Sequence, residues 1–296
     1  MQLRANGIEL EVERMGEGEP VVLIMGIGAQ LVMWPDDFCS LLVERGFSVI
    51  RFDHRDVGRS THLRHLPAPD PRVTIARAAL GLPIGAPYRL EDMADDVAGI
   101  LDALDLDRAH VVGVSMGGMV AQTFAIRHPR RARTLTSIMS TPGDRRYMLL
   151  MKPRALGALL RKPARTRDEA GEATVVAFRT VGGRTHPPDD AFLREAGRRA
   201  FDRGVNPAGF VRHLAAICAS GSRRHALARL DTPTLVIHGT QDPLLPVAAG
   251  RATARLVPNA RLLELADMGH DLPKPLRPVM ADAIASLAAS ARARPS

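Results

Sequence analysis

AHVVGVSMGGMVAQ, residues 109–122, starts as an apolar run, turns on glycines and continues with helical spacing. At the hinge stands Ser115, inside Gly113-Val114-Ser115-Met116-Gly117. The G-x-S-x-G pattern by itself is weak, because ordinary glycine and serine usage produces it about once in ten chains of this length. The setting says more. A sharp turn between strand and helix lifts a serine side chain above the end of a sheet, and flanking glycines keep neighbouring chain from colliding there. The helix behind it adds the positive end of its dipole and free N–H groups. The bland reading is a serine capping a helix. Position and context together favour a nucleophile at Ser115.

Outward from this turn, short apolar runs alternate with helical patterns. Strands are expected at 8–14, 20–25, 47–52, 109–114, 134–139, 232–238 and 260–266, most of them continuous Val/Ile/Leu runs suited to burial on both faces. Helices are expected at 36–46, 90–104 and 116–129. Repeated strand, helix, strand predicts an α/β fold: a mostly parallel sheet covered by helices on both faces. Two segments break the rhythm. Residues 61–89 form an insertion punctuated by Pro and Gly, and residues 141–230 are long, poor in strands and rich in Met, Leu, Ala and Arg. The expected division is a core of 1–140 carrying the 61–89 insertion, a helical cap of 141–230, and a second core part of 231–296.

A neutral serine hydroxyl needs a base within hydrogen-bond reach. Of ten histidines, His110 and His238 fall in expected strands, His128 closes a helix, and His54, His62, His65, His186, His213 and His225 lie in loops or insertions. His270, in ADMGHDLP, follows the last expected strand at the carboxyl edge of the sheet, where sites on open α/β sheets assemble. It is the expected base. The acid that orients it should leave the same edge, and Asp242 in VIHGTQDPLLP does so, although an Asp before Pro is also a common turn former. Asp144 is the fallback, and Asp267 and Asp271 stand too close to His270 in sequence for easy approach to its ring.

Composition limits the alternatives. The chain has 296 residues, net charge +8 and only 4% aromatic residues. Scattered arginines without interleaved aromatics make a poor platform for bases, so no nucleic-acid partner is expected. No run is long enough to cross a bilayer and the first residues do not read as a signal peptide, so no membrane partner is expected. Two distant cysteines, Cys39 and Cys218, suit a reducing cytoplasm better than a disulfide framework. No cofactor or metal is implied. Nothing indicates a homo-oligomer.

The chain resembles the α/β-hydrolase superfamily. The motifs VVLIMGIGAQLVMWP, RFDHRDVGRST, VVGVSMGGMVAQ, TLVIHGTQDPLLP and ADMGHDLP carry the resemblance, which spans about residues 8–60 and 90–293. The order Ser115, Asp242, His270 is the superfamily's nucleophile, acid, base order. The MG…WP stretch and the DHRDVGRS loop are similar to carboxylesterases of the aclacinomycin methylesterase type. The resemblance implies an oxyanion hole made by two main-chain N–H groups, those of Met116 and Ile27. It also implies that Asp53, Arg55 and Gly58 form a structural turn bracing an entrance loop.

The expected chemistry is hydrolysis of a small-molecule carboxylic ester, with apolar substrates of small to medium size, through an acyl-enzyme. Trp34, Met148, Leu149 and Met151 are candidates to line the substrate pocket, although Met and Leu at helical spacing often serve as core. Lactone, thioester or C–C bond hydrolysis and acyl transfer use the same machinery and stay open, as does a non-catalytic ligand-binding member of the fold. Epoxide hydrolases and haloalkane dehalogenases of this fold use an Asp where this chain has Ser115.

Overall fold

Eight strands form one sheet. The computed structural model describes residues 1–292 and places β1 (Gln2–Ala5), β2 (Ile8–Met15), β3 (Glu19–Ile24), α1 (Asp36–Glu44) and β4 (Phe47–Phe52) in its first part. There follow α2 (Pro71–Leu80), α3 (Leu90–Ala103), β5 (Ala109–Val114), α4 (Met116–Arg127) and β6 (Ala132–Ile138). Six helices come next: α5 (Arg145–Leu149), α6 (Pro153–Leu159), α7 (Arg167–Val181), α8 (Asp190–Asp202), α9 (Pro207–Ser220) and α10 (Arg224–Leu227). The sheet then resumes with β7 (Thr234–Gly239), α11 (Val247–Leu256), β8 (Arg261–Leu265) and α12 (Arg277–Arg292).

The strand order is β1-β2-β4-β3-β5-β6-β7-β8, antiparallel where β2 meets β1 and β4, and parallel from β4 to β8. Successive residues of β3 face opposite ways. Val22 and Ile24 pack with α3 and α4, whereas Val21 and Leu23 pack with α1 and α12. This two-sided burial is why the central strands read as unbroken apolar runs. All seven expected strands form, with ends displaced by at most two residues. β1 is too short to announce itself, and joins β2 through an Asn6-Gly7 turn with φ of 49° and 80°, the left-handed pair that a tight hairpin demands.

The 61–89 segment carries a helix. Asp70 caps α2 by accepting from the amides of Arg72 and Val73 at 2.7 and 3.3 Å, Pro71 opens it, and Gly81 ends it with φ 71°. Between β6 and β7 the described chain contains helices and no strand. Because β3, β5, β6, β7 and β8 are parallel, the loops that leave them emerge on one edge, and α7, α8 and α9 lie across it.

Candidate active site

Ser115 occupies the turn between β5 and α4 with φ 56° and ψ −119°, a conformation costing a residue with a Cβ about 1–3 kcal/mol. Neighbouring glycines make the turn possible. A Cβ on Gly113 would collide with the Gly117 carbonyl, and one on Gly117 with the Ile24 carbonyl. The Ser115 amide donates to the Ile138 carbonyl at 3.0 Å, and the Ser140 hydroxyl donates to the Ser115 carbonyl at 2.8 Å. The turn is therefore held from β6 as well as from its own ends.

The loops after β7 and β8 bring two further groups to this turn. His270 Nε2 lies 3.0 Å from Ser115 Oγ, and His270 Nδ1 lies 2.7 Å from Asp242 Oδ2. With Nδ1–H donating to the carboxylate, Nε2 is free to accept the serine proton. The other Asp242 oxygen, Oδ1, accepts from the amides of Leu244 and Leu245, both at 2.8 Å, which fixes the carboxylate plane. Burial would raise the Asp242 pKa. Burial is the largest single influence, but attraction to the His270 ring, the His238 ring at 3.5 Å and the His270 hydrogen bond together outweigh it and bring the pKa down to about 2. Asp242 is therefore a carboxylate throughout the neutral range. The His270 amide donates to the Val181 carbonyl at 2.8 Å, so the end of α7 steadies the loop that carries His270.

The other carboxylates have different partners. Asp144 accepts from Ser222 and Arg224, and Asp267 from Thr185 and Gln241. Asp271 is buried beside His270, with Oδ1 accepting from the Gly269 amide at 3.1 Å and Oδ2 without a partner among the described residues. Burial raises its pKa to about 6, against the pull of the Gly269 and Gly183 amides.

Residues 25–28 pass directly over Ser115. A Cβ on Gly26 would lie 3.5 Å from Ser115 Cβ. The amides of Ile27 and Met116, one in this loop and one at the start of α4, find no acceptor among the described residues. Two free donors beside a serine hydroxyl can receive the oxygen of a carbonyl as it becomes negative.

Two histidines expected in loops or insertions, His54 and His213, hold this loop. His54 Nε2 lies 2.9 Å from the Met25 carbonyl. His213, on α9, accepts from the Gly28 amide through Nδ1 at 3.3 Å, and its Nε2 lies 2.9 Å from the Arg55 carbonyl. Burial holds both rings neutral, lowering His54 to about 3 and His213 to about 4. A neutral ring is what the arrangement needs, because an imidazolium could not accept from Gly28. No local pattern marks His213, since its partners are 158 and 185 residues away.

The DHRDVGRS turn ties the sheet edge to the segment between β6 and β7. Asp53 accepts from the Leu31 and Arg59 amides and from Arg203, at 2.7, 3.0 and 2.6 Å. Arg55 pairs with Asp96 at 2.7 and 2.6 Å. Asp56 receives both arms of Arg212 at 2.7 and 2.6 Å and the Tyr88 hydroxyl at 2.8 Å. Arg203 and Arg212 belong to the segment between β6 and β7, so these buried pairs fix that segment to the sheet edge.

A cavity of about 760 Å³ opens above Ser115 and His270, walled by Ala173, Ala177, Phe178, Phe192, Leu193 and Phe210 among others. The four residues expected to line it do not. Trp34 is fully buried in the core and stacks on Phe38 with ring centres 5.8 Å apart, while its neighbours Met33 and Pro35 reach the cavity. Helix α5 has only five residues and turns Tyr147 inward, leaving Leu149 65% exposed and Met148 half-buried away from the cavity. Met151 packs against the core beneath.

Comparison with known proteins places this site in context. Residues 19–273 match the alpha/beta hydrolase fold family. Rhodomycin D methylesterase of Streptomyces peucetius is 32% identical over 90% of this chain and 89% of its own length. A poly(3-hydroxyalkanoate) depolymerase of Ectopseudomonas oleovorans is 30% identical over 85% of this chain and 77% of its own. Among solved structures, a meta-cleavage product hydrolase from Pseudomonas fluorescens IP01 shares the fold with a TM-score of 0.75, at 20% identity over 98% of both chains.

Proposed function

The chain belongs to the alpha/beta hydrolase fold family, and on that premise we propose that it is a serine-dependent carboxylic ester hydrolase acting on small-molecule esters. The observation that carries the reading is the continuous hydrogen-bonded series from Ser115 through His270 to Asp242. A methylesterase among its relatives supports the same chemistry.

In this reading Ser115 Oγ attacks the ester carbonyl while His270 Nε2 takes its proton. The amides of Ile27 and Met116 hold the oxygen of the tetrahedral intermediate, and the dipole of α4 adds to their field. His270 returns the proton to the departing alcohol. A water molecule then attacks the acyl-enzyme with His270 again as base, and collapse of the second intermediate frees the acid and restores Ser115. Asp242 holds Nδ1–H toward itself and stabilises the imidazolium in both halves.

Residues 141–230 act as a cap over the core formed by 1–140 and 231–296, of which 293–296 lie outside the described residues. The apolar cavity wall favours substrates of small to medium size with an apolar acyl or ring portion. Among the described residues no helix is long and apolar enough to cross a membrane. Two free cysteines, Cys39 and Cys218, support the cytoplasm as the place of action.

The direct test is labelling with a fluorophosphonate followed by peptide mapping. Modification at Ser115, with loss of p-nitrophenyl ester turnover in Ser115→Ala, is the expected result. Labelling elsewhere, or full activity in the variant, overturns the reading.

A further inference from the structure

Basic residues are scattered along the chain, but nearly all of the net positive charge falls in one segment. Residues 145–165 hold seven Arg or Lys and no acidic residue, while the rest of the chain is almost balanced, with 33 basic against 32 acidic residues. The pairing pattern differs as well. On α7 and α8, Arg167, Arg179, Arg194 and Arg198 each meet a carboxylate. Within 145–165, only Arg146 has an acidic partner among the described residues, Asp144 at 3.4 Å. The other six basic residues stand exposed without one.

Large apolar side chains protrude among these cations. Leu149 and Leu150 are 65% and 58% exposed between Arg146 and Lys152, and Leu160 is exposed beside Arg161 and Lys162. Helix α2 extends the same face. The Arg145 guanidinium lies directly against Gly81 at its end, and the flanking Leu80 and Leu82 are themselves exposed. Arg72 of α2, with Leu160 and Arg161 after α6, is both exposed and part of the cavity wall, so these residues form the cavity's rim.

Exposed leucines among unpaired cations match an anionic bilayer interface, where apolar side chains enter the acyl boundary and cations meet headgroups. Nucleic acid would have no use for the leucines, and the patch has no aromatic side chains for stacking bases apart from the buried Tyr147. We propose that the face made by α2, α5, α6 and the turn after α6 docks on an anionic lipid surface, setting the rim of the cavity against it. The expectation of no membrane partner rested on the lack of a spanning run, which has no bearing on a surface that lies on a bilayer. Docking of this kind would let an apolar ester pass from the lipid phase into the cavity, and it stands independently of the reading of the Ser115 site.

The test is sedimentation of the full-length protein with vesicles of phosphatidylcholine alone or of phosphatidylcholine containing phosphatidylglycerol. Binding is expected only with phosphatidylglycerol, weakening as salt rises. The double change Arg154→Glu, Lys162→Glu should weaken it by more than about tenfold, since each cation near such a surface contributes a several-fold factor. Leu80→Ser with Leu150→Ser should weaken it at constant salt. Both double variants should hydrolyse a short water-soluble ester as the parent does, which shows that they are folded. Absence of binding to phosphatidylglycerol vesicles at low salt overturns the proposal. So does equal affinity of the leucine variant, which would assign the cations to an acidic macromolecule instead of a bilayer.

Discussion

Exchanging Asp242 for Asn tests the hydrogen-bonded series at its buried end. In the parent, Oδ1 accepts from two amides at 2.8 Å and Oδ2 accepts from His270 Nδ1 at 2.7 Å. An asparagine carboxamide has one oxygen for these two duties. If the oxygen stays with Leu244 and Leu245, its NH₂ faces His270 and forces Nδ1 to accept, which puts the imidazole proton on Nε2, facing Ser115. The base is then already protonated. If the amide turns over, its NH₂ meets two N–H donors, each left unsatisfied at about 1–3 kcal/mol. The turned form is therefore disfavoured by about 2–6 kcal/mol, and the wrong tautomer dominates. A fall in kcat of about 10⁴-fold is expected, the loss that the same exchange causes in a serine protease. Steady-state hydrolysis of a p-nitrophenyl ester gives kcat, and far-UV circular dichroism with a thermal melt shows that the fold survives. A loss under tenfold in a folded variant would refute the role of Asp242 in setting the His270 tautomer.

Three further outcomes follow from the geometry. His213→Leu removes the acceptor for the Gly28 amide and loosens the loop carrying Ile27; kcat should fall about tenfold to a hundredfold with KM little changed, somewhat less than loss of a donor itself, and His213→Asn or His213→Gln should restore part of it. Ala177→Phe should fill the cavity and depress turnover of long acyl esters by about fourfold for each methylene excluded, at about 0.8 kcal/mol per CH₂, while acetate esters react as before. Met148→Trp should leave that chain-length profile unmoved. Asp271 has its folded pKa raised to about 6 from 3.8, so its contribution to stability is complete below pH 3.8 and is lost as pH rises through 6. Asp271→Asn should therefore gain on the parent by up to about 3 kcal/mol between pH 4 and pH 7 in urea unfolding, and parallel stability curves over that range would show that the carboxyl does not titrate there.

Some of this protein is written locally. Buried parallel strands need apolar residues on both faces, so β3, β5 and β7 can be seen as apolar runs without knowledge of their neighbours. The turn at Ser115 requires Gly113 and Gly117 at fixed offsets, and parallel strands must release their loops at one edge. Those two constraints are enough to nominate Asp242 and His270 from sequence spacing alone. Helix α2 was hidden because Pro and Gly, which usually signal a loop, here start and stop a helix.

The segment between β6 and β7 takes its roles from packing in three dimensions. A short amphipathic helix records that it has a buried face but not which surface buries it. Met148 and Met151 suit a pocket by composition, but Ala177 and Phe178 line it because α7, α8 and α9 settle over the sheet edge. The same holds for His213, whose partners come from distant loops, and for Asp53 and Asp56, whose arginines stand 150 and 156 residues further on. Repeating spacings follow from backbone geometry and can be read along a chain, whereas these contacts depend on how the helices between β6 and β7 pack and exist only in the folded molecule.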